Sequence, residues 1–117
     1  MKRQYGLYLR DIVRAITNIE QFTSGIDFPT FLKDEKTKSA VVWQIAVIGE
    51  AVKNLPRSIR VKHRKIPWSE MARMRDKIAH SYFGIRYEIV WAVITQRLPL
   101  IRPQIEAILK EIGEPLF

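Results

Sequence analysis

The 117-residue chain is the size of one domain and long enough to bury a hydrophobic core without covalent or metal staples. It has no cysteine, which excludes disulfides and thiolate metal sites, and its two histidines, His63 and His80, have no metal-ligand spacing. Twenty lysines and arginines against twelve acids leave a formal charge of +8, and a pattern of helical periodicity runs almost throughout, with no strand-like alternation.

The amino end, Met1-Lys2-Arg3-Gln4-Tyr5, is followed by too short an apolar stretch for a signal peptide. Leu7, Ile12, Ala15, Ile16 and Ile19, with Phe22 beyond, predict an amphipathic helix over about residues 5–23. Gly25 and Asp27-Phe28-Pro29 mark a break and a short helical turn starting near Pro29. Residues 39–55 read as a helix apolar on nearly every side, which predicts burial on more than one face and a partner subunit covering part of it. Its most apolar part, residues 40–49, is interrupted by Gln44 and is about half a membrane span. A soluble, cytoplasmic protein without a membrane partner is expected.

Pro56 and Pro67 bracket a basic connector. From residue 53 to residue 77, nine lysines and arginines stand against Glu70 and Asp76, and residues 51–69 hold no acid. Such clustering fits an anionic partner, nucleic acid first, or a solvated loop of a basic protein. A further helix is expected from Trp68 or Ser69, with Ser69 as its cap, to about Tyr82, ended by Gly84. The last helix begins near Tyr87 and runs through Leu109, with Pro99 and Pro103 expected to kink or break it near residues 97–101. The expectation is one all-α domain over residues 1–117, an antiparallel bundle of four to five helices.

The segment Arg75-Asp76-Lys77-Ile78-Ala79-His80-Ser81-Tyr82 concentrates the chemistry. Arginine supplies fixed charge for a phosphate and histidine moves a proton near neutral pH. At about 100° per residue, Met71, Met74, Ile78 and Tyr82 share one stripe, and Arg75 falls on it. A charge on an apolar face either snorkels to solvent or borders a wet cleft. His80 lies about 140° around from Arg75, so one straight helix cannot aim both at one small target. A distorted helix end or a second copy of the chain is needed. Asp76, four residues before His80, shares its face, which suits an orienting bond to the imidazole or an ordinary exposed ion pair. His63 has no organised neighbours in the connector and reads as solvated.

With its flanks, this segment resembles the HepT-like branch of the HEPN superfamily. The resemblance covers nearly the whole chain: Gly25-Ile26-Asp27-Phe28, Asp34-Glu35-Lys36-Thr37, Val47-Ile48-Gly49-Glu50-Ala51-Val52, Ile66-Pro67-Trp68, the Arg-x4-His-x-Tyr element, Phe83-Gly84 and Tyr87-Glu88-Ile89-Val90-Trp91. It implies a HEPN-like two-fold homodimer and a metal-independent endoribonuclease, the toxin of a prokaryotic toxin–antitoxin module, with no cofactor. Arg75 and His80 match the catalytic pair, in a cleft at the dimer interface. Asp76 stands where asparagine is usual, as the supporting polar residue, and Ser81 where glycine is common. Tyr82 matches the tyrosine that the cognate minimal nucleotidyltransferase antitoxin modifies with AMP, although its stripe position also suits a core or interface tyrosine.

On this reading His80 takes the proton of an RNA 2′-hydroxyl, which attacks the adjacent phosphodiester, and Arg75 holds the phosphate oxygens. The RNA, tRNA or mRNA, is held by phosphate contacts from Arg57, Arg60, Lys62, Arg64, Lys65, Arg73 and Lys77. The alternative is a non-catalytic HEPN subunit that dimerises and binds a nucleotidyltransferase partner and nucleotide or RNA.

Overall fold

The computed structural model describes residues 2–80 and 84–113. Helix α1 spans Lys2–Thr23. Its buried stripe is Leu9, Ile12, Val13, Ile16 and Ile19, each at most 1% exposed, and burial of each contributes roughly 1.5–3 kcal/mol. Leu7 and Phe22, expected on that face, are exposed, because Leu9 is the residue in register with Ile12 and Ile16. Gly25, at φ 75°, then turns the chain in the left-handed region that glycine tolerates.

Two aspartates start the next two helices. Asp27 accepts the Thr30 N–H at 3.0 Å and caps α2, Phe28–Lys33. Asp34 accepts the Thr37 N–H at 3.0 Å and the Thr37 hydroxyl at 2.6 Å, capping α3, Glu35–Lys53. That cap starts α3 four residues before the Ser39 expected from the apolar run. Val41, Ile45, Ile48 and Val52 of α3 are buried, whereas Trp43 is 67% exposed.

The basic connector is not irregular: α4, Arg57–Lys62, lies within it, held to the core by Ile59. The Trp68 indole N–H then donates to the His63 carbonyl at 3.1 Å, closing the connector onto α5, Trp68–His80. Ser69 is not the cap. It lies inside the first turn, and the Pro67 carbonyl accepts the first helical bond, from Met71 N–H.

Helix α6, Tyr87–Ala92, passes through a π-turn, Val93–Arg97, into α7, Leu98–Glu111. Leu98 N–H bonds the Val93 carbonyl five residues back, which widens the helix one turn ahead of Pro99. The break expected near residues 97–101 is thus displaced: α7 runs through residues 98–101, and the irregularity lies upstream in the π-turn at residues 93–97. Pro103 does not break α7. Pro99 and Pro103 are both exposed, so the carbonyl left without its helical donor lies on the solvent side.

All described elements are helical. Helix α3 packs between α1 and α5, and α7 closes against α1. Arg102 of α7 ties that contact by pairing with Glu20 and donating to Thr17 Oγ1 at 2.6 Å. Phe31 packs against the Trp91 ring at 4.9 Å between centroids, fastening α2 to α6. Among the described residues no helix is long and apolar enough to cross a membrane.

Candidate active site

Helices α3 and α5 cross at Gly49. A Cβ built there would lie 2.2 Å from the Arg75 Cβ and 3.1 Å from the Met71 carbonyl oxygen. The missing side chain lets the Arg75 stem lie directly on α3, beside buried Met71 and half-buried Met74 and Ile78. The Arg75 side chain remains 33% exposed. The Arg75 stem is therefore packed while the side chain stays partly exposed and its guanidinium meets charged partners, as a snorkelling arginine does.

Two carboxylates meet that guanidinium. Glu50 Oε2 is 3.4 Å from Arg75 Nε, and Asp76 Oδ1 is 3.4 Å from Arg75 Nη1. The Lys53 ammonium also donates to Asp76 Oδ1. This bond, with the Lys53 and Arg75 charges behind it and partial burial opposing, holds the Asp76 carboxyl below its ordinary range. Glu50, Lys53, Arg75 and Asp76 thus form a four-charge cluster of zero net charge.

Asp76 makes no ion pair with His80 among the described residues. Its Oδ1 is instead taken by Lys53 and Arg75, two cationic donors. His80 is exposed and is the last described residue of α5. The structure pairs Arg75 with Asp76 and shows no hydrogen bond or ion pair from His80 to either among the described residues. Tyr82 lies outside the described residues.

Beside Arg75 is a hollow of about 510 Å³ lined also by Trp43, Ala46, Ala79 and Tyr87. On a different face of α5, Arg57, Arg60, Arg64 and Arg73 line a shallow concavity of about 570 Å³ with Trp68. Arg73 and Arg75 are two residues apart and point about 160° from one another. Of the other expected RNA contacts, Lys62 pairs with Glu111 at 3.0 Å, Lys65 is exposed, and Lys77 borders a groove between α5 and α6. Of the seven expected residues, Arg57, Arg60, Arg64 and Arg73 therefore share one concavity, Lys77 shares a neighbouring groove with Arg73, and Lys62 and Lys65 line neither. Among the described residues no group of three or more His, Asp or Glu forms a metal site.

Sequence reasoning missed Gly49, Glu50 and Lys53 as site residues. Gly49 carried a signal: a glycine inside a helix costs roughly 1 kcal/mol against alanine, and a close helix crossing gives it a purpose. Glu50 and Lys53 carried none, since their partners are more than twenty residues away.

Comparison with known proteins places the sequence in a family. The model of the family described as Ribonuclease HepT-like matches residues 12–108. The chain is 45% identical over 111 residues to “Putative RNase MJ0127” of Methanocaldococcus jannaschii, covering 95% of this chain and 92% of that one. It is 44% identical over 110 residues to “Probable ribonuclease HepT” of Thermococcus cleftensis, covering 94% of this chain and all of that one. No solved structure matches the chain. A matched stretch that includes both Arg75 and His80, with relatives similar over nearly their full lengths, settles the assignment: the chain belongs to the HepT-like ribonuclease family.

Proposed function

We propose that this protein is the toxin of a toxin–antitoxin module and cuts RNA with Arg75 and His80 contributed by two copies of the chain. The observation that carries the reading is the divergence of Arg75 and His80 on an unbroken α5, Trp68–His80. Arg75 borders the hollow beside Trp43, and exposed His80 lies about 140° around the helix from it. A two-fold pairing over the exposed Trp43 face supplies the missing half of each site.

In the reaction the RNA 2′-oxygen forms a bond to phosphorus as the phosphorus–5′-oxygen bond breaks. The 2′-hydroxyl proton passes to His80, and the 5′-oxygen takes a proton from solvent. Arg75 stabilises the charge that builds on the non-bridging oxygens. The products are a 2′,3′-cyclic phosphate and a 5′-hydroxyl. Neither transfer requires a metal or a cofactor, and the attacking group is absent from DNA. The antitoxin, a minimal nucleotidyltransferase, transfers AMP from ATP to the Tyr82 hydroxyl with release of pyrophosphate, adding bulk and negative charge in the segment that carries Arg75 and His80.

A second reading, a non-catalytic subunit that binds a nucleotidyltransferase and nucleotide or RNA, draws support from the occupation of Arg75 by two carboxylates. Incubation of the purified protein with RNA in a chelator separates the two. Cyclic-phosphate ends that disappear in His80→Ala, with an all-deoxy oligonucleotide uncut, support the nuclease. Uncut RNA, or identical cutting by His80→Ala, overturns it.

A further inference from the structure

The four-charge cluster that includes Arg75 raises a question of order: which carboxylate gives way when a phosphate arrives? Glu50 is 57% exposed, reaches Arg75 by one 3.4 Å contact, and has no second cationic partner among the described residues. Asp76 is the neighbour of Arg75 in sequence and cannot move far from it. Its carboxylate is 42% exposed, and the same oxygen, Oδ1, receives both Arg75 and Lys53. Remove the Lys53 charge and the remaining trio carries −1, with both carboxylates directed at one guanidinium. An incoming phosphate then meets net repulsion at the group meant to bind it.

We propose that Lys53 is a positioning residue for phosphate capture: it takes up the Asp76 carboxylate so that Arg75 can exchange Glu50 for an RNA phosphate. This rests on the reading of Arg75 as the phosphate ligand. Lys53 acts through Asp76 and need not touch the RNA. Glu50 is the displaceable gate, and Asp76, anchored by Lys53, stays in place and keeps the guanidinium aligned. The cluster explains how a carboxylate is tolerated next to a phosphate-binding arginine, since its charge is cancelled from a different helix, 23 residues earlier in the chain.

The test combines a binding assay that does not depend on cleavage with a rescue. In a His80→Ala background, fluorescence anisotropy with a labelled oligoribonucleotide should show Lys53→Met weakening binding about three- to ten-fold at low salt. Adding Asp76→Asn to Lys53→Met should restore parental affinity, because the isosteric amide no longer needs a counter-charge. In the His80-containing protein the same substitution should raise KM and leave kcat within about two-fold. Glu50→Gln should tighten binding. A simple structural role for Lys53 predicts no rescue by Asp76→Asn, and that result, or unchanged affinity in Lys53→Met, overturns the proposal. Failure of the His80-containing protein to cut RNA that it binds would sink the nuclease reading while leaving this one standing. Failure to bind RNA at all overturns both.

Discussion

Gly49 and Arg75 touch across the α3–α5 crossing so closely that a methyl group at position 49 would lie 2.2 Å from the Arg75 Cβ. The contact fixes where Arg75 leaves the core and therefore where its guanidinium meets Glu50 and Asp76. Overpacking at such a point costs about 1–3 kcal/mol, against the roughly 1 kcal/mol that alanine gains over glycine in a helix. Gly49→Ala should lower the urea midpoint and reduce RNA cleavage at least about ten-fold by shifting Arg75. A variant with parental stability and activity would show that the crossing does not position the arginine.

The exposed Trp43 face should be the contact between copies. Sedimentation velocity is expected to show a dimer for the parent and a monomer for Trp43→Glu, with cleavage lost in the monomer. Full activity from a protein that sediments as a monomer contradicts this arrangement.

The concavity formed by Arg57, Arg60, Arg64 and Arg73 is set apart from Arg75, so it should affect the strength of RNA binding and leave the cleavage position alone. Changing Arg57, Arg60 and Arg64 together to alanine should reduce the salt slope of binding by about 2, at roughly 0.7 per single-strand phosphate contact. Titrations at several salt concentrations check this. An unaltered slope removes the connector from the interface.

The two cap aspartates give the fold a defined acid response. Hydrogen bonds from the Thr37 side chain and backbone hold the Asp34 carboxyl below its ordinary range, and those from Thr30 do the same for Asp27. A carboxylate depressed by folding stabilises the native state fully above its unfolded value, near 3.9, and loses that contribution as pH falls through the folded value. Asp34→Ala should therefore be less stable than the parent at pH 7, and the gap should narrow below about pH 4. Denaturant melts at pH 7 and pH 3 measure it, and a gap of equal size at both contradicts the assignment.

The long helices were legible because their apolar residues recur at helical spacing: Ile12, Ile16 and Ile19 in α1, and Ile101, Ile105 and Ile108 in α7. The start of α3 was not, since its first turn is polar and is specified by Asp34 and Thr37 and not by the apolar run. Helix α4 escaped because only Ile59 anchors it, too little for a periodic signal. In the site, the 140° divergence of Arg75 and His80 could be calculated from helix geometry alone. The partner of Asp76 could not. Spacing on α5 suggested His80, four residues away, whereas packing of α3 against α5 delivered Lys53, from 23 residues away. Local periodicity says which residues share a face, and only tertiary packing says what that face meets.

The central claim, that each site joins Arg75 of one copy to His80 of another, is tested most directly by mixing two inactive variants. Arg75→Ala and His80→Ala, unfolded together and refolded, should form mixed dimers in which one site has both intact side chains. Such a mixture should recover up to about a quarter of parental RNA cleavage, since random pairing makes half the dimers mixed and each has one complete site. A mixture shown by mass to contain mixed dimers, yet as inactive as either variant alone, would contradict the account.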